Sequence, residues 1–180
     1  MTSRKDTNKK TVSASRVRMN EMVMPNDTNP LGNLMGGRLL QWMDVCSAIA
    51  AQRHCNQSVV TISVDSVEFK RAIKLGEVVA IEGEVTRAFH TSMEVAMEVF
   101  AENLQTNDRN LCTVSYYTFV SIDAEGHTLS VPEIIPETRF EKERYEQAAE
   151  RRKIRLKMSE QNEENRRRVK EWHQEEQQGK

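Results

Sequence analysis

Residues 29–54, NPLGNLMGGRLLQWMDVCSAIAAQRH, place a glycine-rich loop directly before a long segment of helical periodicity. The loop, residues 29–37, holds three glycines and a proline, which gives it a specified turn shape. Residues 38–54 contain no helix breaker and consist mostly of good helix formers. The apolar side chains at helical rather than alternating spacing are Leu39, Leu40, Met43, Ile49 and Ala50. The stretch therefore predicts the single long helix of the central domain.

Alternation of apolar and polar residues predicts five strands around this helix. The first covers residues 16–23 and ends at the breaker sequence MPND. The other four follow the helix, at residues 59–69, 78–87, 93–99 and 111–122. Because short turns join these four strands, they are predicted to form an antiparallel meander.

The predicted fold class is α+β, with a five-stranded antiparallel sheet and one long helix across one of its faces. In the strand at residues 59–69, Val60, Ile62 and Val64 are expected to share one face and polar residues the other. One helix of about five turns cannot cover both faces of such a sheet. A second copy of the chain is the expected cover, so at least a dimer is predicted.

The chain has 180 residues with 26 basic and 27 acidic side chains, a net charge of −1. This balance gives no reason to expect nucleic acid or a membrane surface as a partner. The longest uncharged apolar run is far shorter than the roughly 18 residues of a membrane-spanning helix. The three cysteines, Cys46, Cys55 and Cys112, are widely spaced and form no disulfide framework. A soluble protein of a reducing compartment, the cytoplasm, is therefore expected.

Both ends of the chain differ in composition from its centre. Residues 1–15 are basic and almost free of apolar side chains, which predicts a mobile arm before the globular domain at residues 16–135. Residues 136–180 are charged and predict a helix whose start docks on the core and whose end is exposed or disordered. No coiled coil is predicted there, because its apolar residues do not sustain a heptad: Phe140, Tyr145, Ile154 and Met158.

The start of the long helix, at Gly36 and Gly37, is the first candidate site. Glycines let a ligand approach the backbone closely, and a helix start offers unpaired N–H groups with a partial positive charge. Such a position suits a phosphate or a developing oxyanion. A tight loop without any ligand would explain the same glycines.

Asp44 is the second candidate, because it interrupts an apolar stripe of the helix made by Leu40, Ala48 and Ala51. A carboxylate this far into a helix cannot be a cap. If it is desolvated, partnered or at the edge of a cleft, it suits a general base or a nucleophile. Alternatively, the stripe is tilted and Asp44 reaches solvent. No cysteine and histidine set has metal-ligand spacing, and no metal site is predicted.

The loop at residues 29–37, followed by Leu39, Met43 and Asp44, resembles the signature of the hotdog-fold acyl-CoA thioesterases. The most similar subgroup contains the brain-type and bacterial long-chain acyl-CoA hydrolases. The resemblance continues through five short stretches, at residues 51–55, 64–69, 92–94, 119–121 and 131–133. It covers about residues 16–145.

The resemblance implies a five-stranded antiparallel sheet wrapped around one long helix, with two such units pairing around each active site. Asn29 of one unit and Asp44 of the other match the positions that carry hydrolysis in this family. It implies that Asp44 acts as general base or as nucleophile through an anhydride, while Asn29 holds the water or the carbonyl. The backbone amides near Gly37 and Arg38 would form the oxyanion hole. A homodimer would then have two complete sites. The resemblance also implies a trimer of dimers, an assembly that enzymes of this family often form.

The expected substrate is a fatty acyl-CoA, with coenzyme A as the leaving part and no cofactor required. Lys70, Arg71 and Lys74 are the local cationic cluster that could hold the CoA phosphates, although a solvated turn explains them equally well. The remaining candidates for substrate or CoA binding lie in the resembling stretches: Gly36, Ser66, Phe69 and Ser92.

Two rival functions stay open on the sequence. A hotdog dehydratase or hydratase usually needs a histidine at or before the helix, and residues 1–53 contain none. A non-catalytic hotdog that binds acyl-CoA as a sensor would not need Asp44 on the helical stripe.

Overall fold

The structure is a computed structural model and describes residues 9–178. These residues contain two α-helices, α1 (Gly36–Cys55) and α2 (Arg139–Gln178). The strands are β1 (Lys9–Thr11), β2 (Val17–Met22), β3 (Ser58–Val64), β4 (Val78–Ala88), β5 (Ser92–Asn103), β6 (Asp108–Ile122) and β7 (Glu133–Ile135). Five of them form one antiparallel sheet in the order β2-β4-β5-β6-β3. The predicted α+β class, with one long helix against such a sheet, is confirmed.

Helix α1 packs against one face of the sheet through apolar side chains. Met43, Cys46 and Ala50 are fully buried and belong to the same core as Val95 and Met97 of β5. The helix begins at Gly36, two residues before the predicted start, and ends where Asn56 takes the left-handed conformation with φ 56°. Neither helix of the described chain combines the length and the apolar character needed to cross a bilayer.

Strand β3 is shorter than the predicted strand at residues 59–69, since it ends at Val64. A register shift lies between Thr61 and Ser63, and beyond Val64 the chain leaves the ladder, although alternation continues in the sequence. β3 lies at the edge of the sheet, and three of its apolar side chains are left uncovered by the described chain. Val60, Ile62 and Val64 are 40%, 58% and 44% exposed.

The first part of α2 covers part of the opposite face of the sheet, so that part needs no second copy to cover it, contrary to the prediction from the sequence. Glu94 of β5 is fully buried, and its carboxylate accepts hydrogen bonds from Arg151 and Arg155 of α2, each at 2.7 Å. Nearer the start of α2, Arg144 binds Glu84 and Glu98. Charged pairs therefore hold α2, as expected for a helix of this composition.

The second part of α2, residues 156–177, is exposed at every position. We call this segment the α2 arm. The predicted extension thus docks at its start and is exposed at its end, and it remains helical to Gln178.

Residues 9–15, which the sequence predicts to be part of a mobile arm, pack on the domain instead. β1 pairs in parallel with β7, and Val12 is 2% exposed. Ser15 Oγ accepts a hydrogen bond from the backbone N–H of Val85 at 2.9 Å. These contacts with segments far away in the sequence hold residues 9–15 on the domain. Residues 1–8 of the predicted arm lie outside the described residues.

Candidate active site

The N-terminus of α1 leaves backbone donors without partners. Met35 precedes the helix and provides no side-chain cap. The N–H group of Arg38 donates to the carbonyl of Met35 at 3.0 Å, whereas those of Gly36 and Gly37 have no hydrogen-bond partner within residues 9–178. Of the two amides predicted for an oxyanion hole, Gly37 is therefore available and Arg38 is already engaged.

The two glycines at this position have different surroundings. A Cβ atom on Gly36 would lie 3.2 Å from the ring of Phe69, so Gly36 allows the Phe69 ring to pack against the helix start. A Cβ atom on Gly37 would meet nothing within 4 Å. The side of the helix start at Gly37 is thus open to a ligand, and its other side is closed by Phe69.

Asn29 lies in the loop before α1 with one end of its side chain held. Its Oδ1 atom accepts hydrogen bonds from the backbone N–H groups of Leu31 at 3.0 Å and Asn33 at 3.2 Å. These bonds fix the amide plane and identify which end is oxygen. No residue that the structure describes accepts a hydrogen bond from Nδ2, which leaves two N–H donors for a ligand or water.

Asp44 lies on the exposed side of α1, next to the stripe that contacts the sheet. Its Oδ1 atom accepts a hydrogen bond from Thr61 Oγ1 of β3 at 2.9 Å. Within one chain the alternative in which Asp44 reaches solvent therefore applies. Oδ2 of Asp44 has no partner among the described residues, so one carboxylate oxygen is oriented and the other is free to act.

Thr61 is a candidate site residue that the sequence did not predict. In the sequence it is one of several polar residues alternating along β3, and it lies 17 positions from Asp44. Only the packing of α1 against β3 brings the two together. Asn29 and Asp44, by contrast, share no contact within the described chain.

The three predicted phosphate-binding cations differ in their partners. Lys70 forms an ion pair with Glu68, and Arg71 Nη2 lies 3.3 Å from Glu77 Oε1. Lys74 is exposed, and its ammonium group has no partner in the part of the chain that is described. Lys74 is therefore the most available of the three.

The other predicted binding residues divide into two groups. Phe69 lies beside Gly36 and is 51% exposed, and Ser66 is exposed in the loop that leads to it. Ser92 is buried at the start of β5, where Arg152 of α2 donates a hydrogen bond to its Oγ at 3.2 Å. Ser66 and Phe69 are thus accessible to a ligand in this chain, and Ser92 is covered by α2.

The histidine and cysteine side chains of α1 lie away from its N-terminus. His54 is fully buried at the far end of α1, and its Nε2 lies 2.7 Å from the carbonyl oxygen of Pro132. Burial lowers the pKa of His54 and raises the pKa of Cys46 to about 11, so both side chains stay neutral near pH 7. Neither is suited to act on a ligand at Gly37.

Within residues 9–178, one cluster has the donor atoms of a cation site, in the turn after β6. Ligand atoms of Asp123, Glu125 and His127 lie within 4.8 Å of one another. Asp123 Oδ1, however, accepts the backbone N–H groups of Glu125 and His127 at 3.0 and 2.8 Å. These bonds account for the close approach of the three side chains as a feature of a tight turn.

The model of the thioesterase superfamily matches residues 31–107 of this chain, which include α1 and Asp44. An acyl-CoA thioester hydrolase of Bacillus subtilis, itself described as uncharacterised, is 40% identical over 127 residues, which cover 71% of this chain and 74% of that protein. The chain belongs to the thioesterase superfamily. This membership confirms the resemblance, the hotdog fold and the expected class of enzyme.

Solved structures of the superfamily agree with this assignment. An apo hexameric acyl-CoA thioesterase superposes with a TM-score of 0.82 at 40% identity and covers 84% of this chain and 97% of its own. An acyl-CoA hydrolase of Staphylococcus aureus, in complex with butyryl coenzyme A, coenzyme A and coenzyme A disulfide, has a TM-score of 0.79 at 38% identity and covers 87% and 97%. Variants of that enzyme with an aspartate, a threonine or an asparagine replaced by alanine also match.

Some members of the superfamily are longer than this chain. The chain spans about a quarter of the mammalian acetyl-coenzyme A thioesterases that it matches at 33–34% identity.

Proposed function

We propose that this protein hydrolyses fatty acyl-CoA to a free fatty acid and CoA, at sites shared between two copies. The observation that carries the proposal is the arrangement of Asp44. Its carboxylate is held by Thr61 on one oxygen and is free on the other, on a helix whose start has unpaired donors. The three residue types Asn, Asp and Thr are also those replaced in the variants of the S. aureus acyl-CoA hydrolase.

The thioester carbonyl would point at the N-terminus of α1. As the carbonyl carbon becomes tetrahedral, negative charge develops on its oxygen, and the N–H group of Gly37 and the helix dipole stabilise that charge. Gly36 contributes a second unpaired N–H group. The engaged N–H group of Arg38 has a smaller role in this arrangement than the resemblance implied.

Asp44 and Asn29 would act on the attacking group. The free Oδ2 of Asp44 either takes a proton from water, which attacks the carbonyl carbon, or attacks that carbon directly to form an anhydride that water then cleaves. The Nδ2 donors of Asn29 hold the water or the carbonyl. In both routes the C–S bond breaks and the CoA thiolate leaves, taking up a proton.

CoA itself is the part of the substrate that needs cations. Lys74 is the first candidate for a phosphate contact, because its ammonium group is exposed, and Arg71 and Lys70 would have to exchange carboxylate partners for phosphate. Ser66 and Phe69 lie on the same loop and would line the pantetheine path.

The oligomer is proposed to be a homodimer assembled further into a trimer of dimers. The free thiols of Cys46, Cys55 and Cys112 are consistent with a cytoplasmic protein.

The decisive experiment mixes two inactive chains. Asn29→Ala and Asp44→Ala should each lower CoA release by at least about tenfold, equivalent to about 1.4 kcal/mol. After equal amounts are refolded together, mixed dimers carry one intact site of two. Random pairing then restores about a quarter of wild-type activity.

Asp108→Ala, at the exposed first residue of β6, is the matched control and should keep full activity. Single variants that retain more than a tenth of the activity would refute the catalytic roles, and a non-catalytic acyl-CoA sensor would release no CoA even as wild type. Activity of the mixture no higher than the average of the two variants, with chain exchange verified by tags, would refute the shared site.

A further inference from the structure

The chain that follows β3 passes the start of α1 with few hydrogen bonds of its own. We call residues 65–69 the 65–69 loop; it carries Ser66, which is exposed, and Phe69, which lies beside Gly36. Within the described chain, the backbone of residues 66–69 forms no hydrogen bond. The position of this loop therefore depends on what holds its two ends.

Backbone hydrogen bonds to β6 tie both ends of the 65–69 loop to the sheet. The N–H group of Asp65 donates to the carbonyl oxygen of Tyr116 at 2.9 Å, and the N–H group of Lys70 donates to that of Cys112 at 3.3 Å. The first distance is typical of a good hydrogen bond and the second is long. Asp65 is therefore the firmer of the two attachment points.

Helix α2 holds the side chain of Asp65. Arg155 Nη1 lies 2.9 Å from Asp65 Oδ2, and Nη2 of the same guanidinium group lies 2.7 Å from Glu94 Oε2. Glu94 is fully buried on β5, and the side chains of Arg155 and Asp65 are only 14% and 22% exposed. Because a guanidinium group is planar and rigid, it fixes the position of Asp65 relative to a carboxylate inside the sheet.

Without Arg155, the carboxylates of Asp65 and Glu94 would repel each other. Burial raises the pKa of Asp65, the charge of Glu94 raises it further, and Arg155 opposes both effects. Arg151 also binds Glu94 at 2.7 Å, but Arg151 and Asp65 share no hydrogen bond in the described chain. Removal of Arg155 therefore favours movement of Asp65, and of the loop behind it, toward solvent.

This contact comes from a part of the chain that the superfamily match does not include. The match covers residues 31–107, whereas α2 begins at Arg139. Arg155 is the last residue of α2 before the α2 arm, and it lies 90 residues after Asp65. The C-terminal helix thus reaches a loop of the candidate site.

We propose that Arg155 is a positioning residue for substrate binding, because its bridge between Asp65 and Glu94 holds the 65–69 loop beside the start of α1. The inference rests on the proposed function, in which Ser66 and Phe69 line the path of the substrate. Arg155 acts only through the loop that carries them. Its loss should weaken acyl-CoA binding and leave the reacting groups in place.

Steady-state hydrolysis of an acyl-CoA compares Arg155→Ala with Arg151→Ala. Arg151 is the matched control, since it binds the same Glu94 from the same helix without reaching Asp65. Arg155→Ala should raise KM about fivefold or more and leave kcat within about twofold of wild type, whereas Arg151→Ala should leave both within about twofold. In Asp65→Asn/Arg155→Ala, KM should be no higher than in the worse single variant, because both changes remove one contact.

Hydrogen exchange of the ligand-free protein tests the contact without any activity. The N–H group of Asp65, protected by its bond to Tyr116, should exchange about fivefold faster in Arg155→Ala than in Arg151→Ala. Slow exchange in β5 shows that both variants are folded.

Three results would overturn the positioning role. They are equal exchange at Asp65 in the two variants, an equal rise of KM in both, and faster exchange in Arg155→Ala with an unchanged KM. A wild-type protein that releases no CoA would refute the proposed function instead. The exchange ratio, with the Kd for CoA in place of KM, would then still decide whether Arg155 holds the loop for binding.

Discussion

Helices α1 and α2 lie on opposite faces of one sheet and are held there by different forces. α1 buries Met43, Cys46 and Ala50 completely, and burial of this apolar surface stabilises its packing on the sheet. α2 is held by Arg151 and Arg155, whose guanidinium groups bind the buried carboxylate of Glu94. An apolar stripe needs only one side of a helix, so the other side of α1 is free to carry Asp44.

The largest effect is expected where α2 depends on a buried charge. Glu94→Ala should lower the free energy of unfolding by about 4 kcal/mol, because it leaves two guanidinium groups without their buried partner. Glu82→Ala removes a carboxylate that binds Arg109 at the same 2.7 Å but is 29% exposed, and it should cost less than about 1 kcal/mol. Urea unfolding measures both. Equal losses would mean that burial does not separate these two ion pairs.

The corresponding change in α1 creates a cavity instead. Met43→Ala should cost about 3 kcal/mol, because the fully buried side chain leaves a space that the sheet cannot fill. Met22→Ala makes the same chemical change at a side chain that is 49% exposed, and it should change stability by no more than about 0.5 kcal/mol. A Met43 variant as stable as the Met22 variant would contradict apolar packing as the main force on α1.

The exposed side of α1 should respond in activity rather than in stability. Thr61→Val removes the hydrogen bond to Asp44 and should lower kcat about tenfold, or about 1.4 kcal/mol, with little effect on unfolding. Thr118→Val, on neighbouring β6, is the matched control, because its buried hydroxyl has no partner among residues 9–178. Initial rates of CoA release at saturating acyl-CoA distinguish them. Unchanged kcat in Thr61→Val would show that Asp44 needs no orienting hydroxyl.

The smallest effect is expected at His54, the imidazole that α1 buries. Burial lowers the pKa of His54 below its ordinary 6.5, so the unfolded chain binds a proton at higher pH than the folded chain. The contribution of His54 to the free energy of unfolding is constant above pH 6.5. As the pH falls from 6.5 toward the pKa of the folded state, the free energy of unfolding decreases by at most about 1.4 kcal/mol per pH unit.

His54→Gln, which keeps a donor for the Pro132 carbonyl, should remove that part of the slope. Free energies of unfolding at pH 7.5, 6.5 and 5.5 provide the comparison. Parallel curves for wild type and variant would contradict a buried neutral imidazole.

The sequence predicts more about α1 than about α2, because α1 is specified by local signals and the docking of α2 depends on contacts between distant residues. The extent of α1 was predictable to within two residues, since periodicity and glycines are local signals. The docking of the start of α2 was also foreseen, but its partner surface was not. Glu94 alternates with apolar residues in β5 and therefore reads as a solvent-facing side chain in the sequence, whereas the structure buries it completely.

The sequence by itself determined the order of α1 and the five strands of the main sheet along the chain, the helix start with its two glycines, and the carboxylate on α1, because each depends on neighbours within a few residues. Only the tertiary structure decided that β3 ends at Val64, that Thr61 meets Asp44, and that α2 covers part of the outer face of the sheet. The last of these rests on contacts such as Arg155 with Asp65, which lie 90 residues apart. Such contacts form only when distant segments bury each other's charges, and no local pattern in either segment encodes that pairing.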